Sequence, residues 1–91
     1  MSAGRRTRGE SRYATECRVL GVVIQNARKE RQLTREDLAY RSKISVSTLQ
    51  KIEVGPVVEP GFFTIGSLLE PLGLTLADLE RLCEKQRRSR P

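Results

Sequence analysis

Leu33-Thr34-Arg35-Glu36-Asp37-Leu38-Ala39-Tyr40-Arg41-Ser42-Lys43-Ile44-Ser45-Val46-Ser47-Thr48-Leu49-Gln50-Lys51-Ile52-Glu53-Val54-Gly55 carries the strongest local signals in the chain. It holds two helix starts. Thr34 and Ser45 each offer a hydroxyl that can accept from the free backbone N–H groups of a new helix, worth about 1 kcal/mol per cap. Leu33 and Ile44 precede these caps, and Leu38 and Leu49 follow them by four residues, the spacing of a hydrophobic staple. Asp37, three residues after Thr34, can reach back to the cap as a weaker form of the usual Glu or Gln box. The first helix runs only to about Arg41, because the next cap arrives at Ser45, leaving the short turn Ser42-Lys43-Ile44. The second helix buries Leu49 and Ile52 and stops at Gly55, with Pro56 behind it.

The same grammar extends outward from this stretch. Leu74-Thr75-Leu76-Ala77-Asp78-Leu79 repeats the staple, the cap and the Asp, and starts a helix that carries Leu76, Leu79, Leu82 and Cys83 to about Lys85. Upstream, Cys17, Leu20, Ile24 and Ala27, with Val23 beside them, recur at three- and four-residue spacing, which predicts an amphipathic helix over about 14–31. Pro60-Gly61 marks a loop, and Phe62, Phe63, Ile65, Leu68, Leu69 and Leu72 make a further apolar helix. Pro71 lies inside that pattern and is expected to kink or end it near Glu70, with Gly73 closing it. No segment alternates with period two. The expected fold is all-α, a compact bundle of five helices.

Composition bounds what such a bundle can do. At 91 residues there is room for one domain. Apolar residues make up 37% and charged residues 31%, which supports one modest core and a polar surface. The absence of His removes the commonest general base and the commonest metal ligand together. Two cysteines, Cys17 and Cys83, are too few for a disulfide framework or a four-ligand zinc site, and they read as buried thiols. No nucleophile–base pair or metal cluster points to an enzyme, and nothing calls for a cofactor. No stretch approaches the roughly 18 apolar residues of a membrane span. The basic amino terminus has no apolar run behind it, so the expected location is the cytoplasm.

The net charge of +6 is unevenly placed. Residues 1–12 form a basic arm of +3, and residues 85–91 carry +4. The expected domain therefore spans 13–85, with the arm before it and a basic tail over 86–91. Within the domain, residues 28–51 sum to +4 and residues 52–84 to −5. The basic segment and the tails point to a polyanionic partner, and the acidic half must face elsewhere.

Two short helices joined by a three-residue turn form a helix-turn-helix, in which the second helix can lie in the DNA major groove. At Leu20-Gly21, Ile24, Arg28, Leu33-Thr34, Leu38-Ala39, Ser45, Leu49, Ile52-Glu53, Gly55, Pro60, Thr64, Leu68, Leu72-Gly73 and Leu79, the chain resembles the phage repressor and Cro-type family, also called the xenobiotic-response-element family. The resemblance covers about residues 18–83. It implies a lambda-repressor-like five-helix bundle that binds double-stranded DNA, usually as a homodimer, and acts as a transcriptional regulator, a repressor before an activator. The competing reading is a protein-interaction module of the same fold, such as an antitoxin subunit. The excess of Arg over Lys fits a GC-rich bacterial or phage genome.

Carried over by position, the base-reading residues fall on Val46, Ser47, Gln50 and Lys51. These occupy the first, second, fifth and sixth positions after the Ser45 cap and so share one side of the helix. A merely solvated face would have the same pattern; the caps, the turn and the family register argue for reading. Lys51 can donate to guanine, Gln50 can pair with adenine, and Val46 can touch a thymine methyl. Arg35, where the family often has Gln, is implied as a phosphate contact, and Arg41, Lys43 and Thr48 are further phosphate candidates. Arg28 and Glu53 match a family pair that ties the first helix to the end of the reading helix. An exposed acid there would repel phosphate, so Glu53 is expected to turn inward. Three positions depart from the family. Lys43 stands where a turn Gly is favoured, the loop from Gly55 to Pro60 is one residue longer, and Pro71 replaces a helix-friendly residue. Leu76 or Leu82, if not needed by the core, would be left for a dimer seam.

Overall fold

The structure, a computed structural model, describes residues 12–55 and 59–89. The expectations for the arm, for the longer loop after Gly55 and for the end of the tail fall largely outside the described residues. Five helices follow one another: α1 (Ala14–Glu30), α2 (Arg35–Ser42), α3 (Val46–Val54), α4 (Phe62–Leu72) and α5 (Leu76–Arg88). Among the described residues there is no strand.

The predicted caps are present as hydrogen bonds. The Asp37 backbone N–H donates to Thr34 Oγ1 (2.9 Å), and the Thr34 N–H donates back to Asp37 Oδ2 (3.0 Å). The Thr75–Asp78 box before α5 repeats this at 3.0 and 2.9 Å. The backbone N–H bonds hold both carboxyls below the usual carboxylate range, helped by the cap hydroxyls and by a nearby arginine, Arg41 at Asp37 and Arg81 at Asp78. Ser45 starts α3 by accepting from the Thr48 N–H at 3.0 Å.

Each helix turns its apolar stripe to one centre. Ile24 of α1, Leu38 of α2, Leu49 and Ile52 of α3, and Leu68 and Leu72 of α4 are wholly buried. Each is worth about 1.5–3 kcal/mol relative to an exposed position. α1 packs against α3 and α5, while α2 packs against α3 and α4. The reading helix expected from sequence is thus clamped from behind by two others.

Several local expectations change. Pro71 does not end α4, which runs to Leu72 and closes on Gly73 in the left-handed conformation (φ 68°). A proline this near the carboxyl end removes one helical N–H. Leu72 stays anchored in the core, and the Leu74 N–H closes the turn on Leu69 O at 3.0 Å. α5 extends three residues past the expected Lys85, to Arg88, so the first part of the basic tail is helical. Lys43 adopts the left-handed conformation (φ 61°) in place of the turn glycine, and Gln32 does the same between α1 and α2. Phe62 and Phe63 are not core residues: they are 66% and 85% exposed, with their rings edge to face at 5.3 Å. They begin α4, where the following Ile65, Leu68 and Leu69 already fill the inward stripe. Cys17 is buried and Cys83 half-buried; burial pushes the Cys83 thiol up, against the opposing pull of Arg87.

Candidate nucleic-acid interface

α3 is a two-faced helix. Leu49, Ile52 and Glu53 are buried, whereas Val46, Ser47, Gln50, Lys51 and Val54 are exposed. Ser47, Gln50, Lys51, Val54 and Gly55 line one shallow surface groove. The four residues expected to read bases are therefore brought together on the solvent side. Lys51 has no ion-pair partner among the described residues. Thr48 is half-buried, and its Oγ1 accepts from the Ser45 hydroxyl at 2.8 Å, which leaves its own hydroxyl hydrogen to donate. Arg41 and Lys43 are exposed at the end of α2 and in the turn. The turn itself is Lys43-Ile44-Ser45, closed by the Ile44 N–H donating to Ala39 O at 3.1 Å.

Behind α3, the Arg28–Glu53 pair forms as expected. Arg28 Nε donates to Glu53 Oε2 at 2.7 Å and Nη2 to Oε1 at 3.1 Å, a two-pronged fork. Arg28 Nη1 also donates to Leu33 O at 2.9 Å, which ties in the turn before α2. The carboxylate of Glu53 is wholly buried, so the one acid of the reading helix does not face solvent. A charge at that depth is tolerable only when paired and hydrogen-bonded.

Two features were not anticipated. Arg35, at the first position of α2, also donates from Nε to Glu53 Oε1, at 2.9 Å. The Arg in place of the family's usual Gln was a visible signal, but its partner 18 residues away was not. Gly21 is the second. A Cβ there would lie 2.4 Å from Glu53 O and 2.6 Å from Ile52 O, so α1 crosses the last turn of α3 closer than any side chain allows. Gly55, which ends α3 at φ 57°, presses likewise on Arg18 Cα, 3.0 Å from where its Cβ would stand. The pose of α3 is therefore set at its carboxyl end, by α1 and two arginines.

This arrangement defines an all-α helix-turn-helix protein with an exposed second helix. The helix-turn-helix family model matches residues 24–79, and the chain belongs to that family, the xenobiotic-response-element type of regulator. Solved structures share the fold. The clp gene regulator ClgR from Corynebacterium glutamicum superposes with a TM-score of 0.76 at 23% identity, covering 80% of this chain and 77% of that one. The wild-type restriction-modification controller protein C.Esp1396I gives 0.76 at 20% identity, over 82% and 96% of the two chains. C.Esp1396I bound to a 19 base pair DNA duplex gives 0.73 at 21% identity, over 79% and 95%. No curated protein matches by sequence. No single helix among the described residues is long and apolar enough to cross a membrane.

Proposed function

We propose that the protein is a sequence-specific, double-stranded DNA-binding transcriptional regulator, a repressor that acts as a homodimer with α3 in the major groove. One observation carries this reading: α3 offers Val46, Ser47, Gln50 and Lys51 outward while Leu49, Ile52 and Glu53 are spent inside. Those outward groups can reach base edges only if the helix enters a groove. Arg35, Arg41, Lys43 and Thr48 flank that face and contact phosphates, which position the protein without reading sequence. The helix-turn-helix family and a neighbour of the same fold bound to DNA support the assignment. One reading helix covers too few base pairs to select a genomic site, which favours a dimer whose α3 helices sit about 34 Å apart, one turn of duplex. The protein acts in the cytoplasm of a bacterium or on behalf of a phage, needs no cofactor and performs no catalysis.

Selection of bound sites from random duplex DNA tests the reading. A preferred, two-fold symmetric sequence is expected. Replacing Lys51 or Gln50 by Ala should then cost about 1–3 kcal/mol on that site and relax the choice at one or two base pairs. Selected pools with no common sequence would overturn the proposal.

A further inference from the structure

The cluster behind α3 holds two guanidiniums and one carboxylate. Glu53 takes three hydrogen bonds, from Arg28 Nε, Arg28 Nη2 and Arg35 Nε. One negative charge cannot neutralise both arginines, so the cluster keeps a net charge of +1. The two arginines are not equivalent. The Arg28 side chain is buried and spends Nε, Nη1 and Nη2 within the protein. The Arg35 side chain is 31% exposed, and its Nη1 and Nη2 carry no hydrogen bond among the described residues. The excess charge therefore resides on a guanidinium with one edge held and the other edge open. That open edge is the fork that matches an oxyanion through two parallel N–H bonds.

We propose that Arg35 is a two-sided positioning residue. Its Nε stays on Glu53 while its Nη pair takes one phosphate of the DNA backbone, so that this phosphate is linked rigidly to the last turn of the reading helix. This rests on the DNA-binding reading above and deepens it. An ordinary phosphate contact holds the protein on any duplex equally. Arg35 does more, because Glu53 is the residue through which α1, α2 and α3 are joined. A phosphate seated on Arg35 fixes how α3 lies against the backbone, and hence whether Gln50 and Lys51 meet their base edges. Arg35 thus contributes to sequence discrimination while touching no base. Lys cannot replace it, since an ammonium lacks the rigid fork with one edge for each partner.

The test compares wild type, Arg35→Ala, Arg35→Lys and Arg41→Ala on the selected site and on a random duplex of equal length, across a salt series. Arg41 shares α2, is exposed, and makes no close ion pair among the described residues beyond a longer-range attraction to Asp37, so it reports a simple charge contact. Arg35→Ala should weaken the selected site by about 10- to 100-fold, the loss of a hydrogen bond to a charged group, and the random duplex by clearly less. Arg35→Lys should restore random-duplex affinity and the salt slope, about 0.9 per phosphate contact, but not the preference. Arg41→Ala should weaken both duplexes by similar factors. Amide spectra of Arg35→Lys, whose charge is kept, verify that the fold persists. Equal losses on both duplexes for Arg35→Ala, or full recovery of preference by Arg35→Lys, would overturn the proposal and leave the DNA-binding reading standing. A wild-type protein with no preference would bring down both.

Discussion

The molecule contains two helix pairs built with the same joints, α2–α3 and α4–α5, and only one of them is fitted to a polyanion. In both joints a hydroxyl caps the second helix, Ser45 accepting from the Thr48 N–H before α3 and Thr75 from the Asp78 N–H before α5. Both pairs are joined through a left-handed residue, Lys43 in the first and Gly73 in the second. The difference lies in what the second helix does with its charges. On α5, Arg81 pairs with Asp78, and Arg87 and Arg88 both pair with Glu84. Those charges satisfy one another on the same helix surface. On α3, Lys51 has no such partner among the described residues, and the one acid, Glu53, is turned inside and held by two arginines. A helix that keeps its polar groups unspent and hides its acid can bind an anion; a helix that spends them locally is a solvated face.

The second contrast is between two helical glycines. Gly21 in α1 meets backbone carbonyls of α3, whereas Gly66 in α4 has open space where a Cβ would stand. The first half of the molecule is thus held by close backbone approach and a buried ion cluster. In the second, the core is aliphatic, built on Ile65, Leu68, Leu69, Leu72 and Leu79, and it leaves Leu76 (51%) and Leu82 (36%) exposed.

The largest effect is expected at Glu53. Glu53→Ala leaves two arginines without their shared carboxylate and should cost about 3–5 kcal/mol by chemical denaturation, with Arg28→Ala in the same range. Unchanged melting in both variants would remove the structural role of the cluster. Next in size, Gly21→Ala forces a methyl into the α3 carbonyls and should cost about 2–3 kcal/mol. Gly66→Ala should instead stabilise the protein by about 0.5–1 kcal/mol, because a helix-interior glycine is replaced without a clash. If the two alanines had equal effects, α1 would not be pressed on α3 as described. The smallest effects belong to the joints. Lys43→Gly should stabilise by about 1 kcal/mol and Gly73→Lys should destabilise by a similar amount, both read as shifts in thermal midpoint, since only glycine adopts positive φ without strain. The opposite signs at equivalent joints would show that the DNA-side pair carries backbone strain that its counterpart lacks.

Much of this architecture is written locally. The caps at Thr34, Ser45 and Thr75, the apolar periodicity of α1 and the stop at Gly55 depend on residues within a turn of one another, so five helices and the exposed side of α3 follow from spacing alone. The Arg28–Glu53 pair follows less directly, from the family resemblance and the physical awkwardness of an exposed acid on a DNA-facing helix. Other features escaped because they depend on partners distant in sequence. Whether Pro71 ends a helix depends on how firmly Leu72 is anchored, and whether Phe62 and Phe63 are buried depends on how much room Ile65 and Leu68 leave. The bond from Arg35 to Glu53 exists only because α2 packs against α3, and the contact of Gly21 with Glu53 O only because α1 crosses α3 at its last turn. Hydrogen bonds between neighbours set the helices; where one helix crosses another is set by mutual packing of side chains far apart in the chain, and that is the level at which the reading helix acquires its pose.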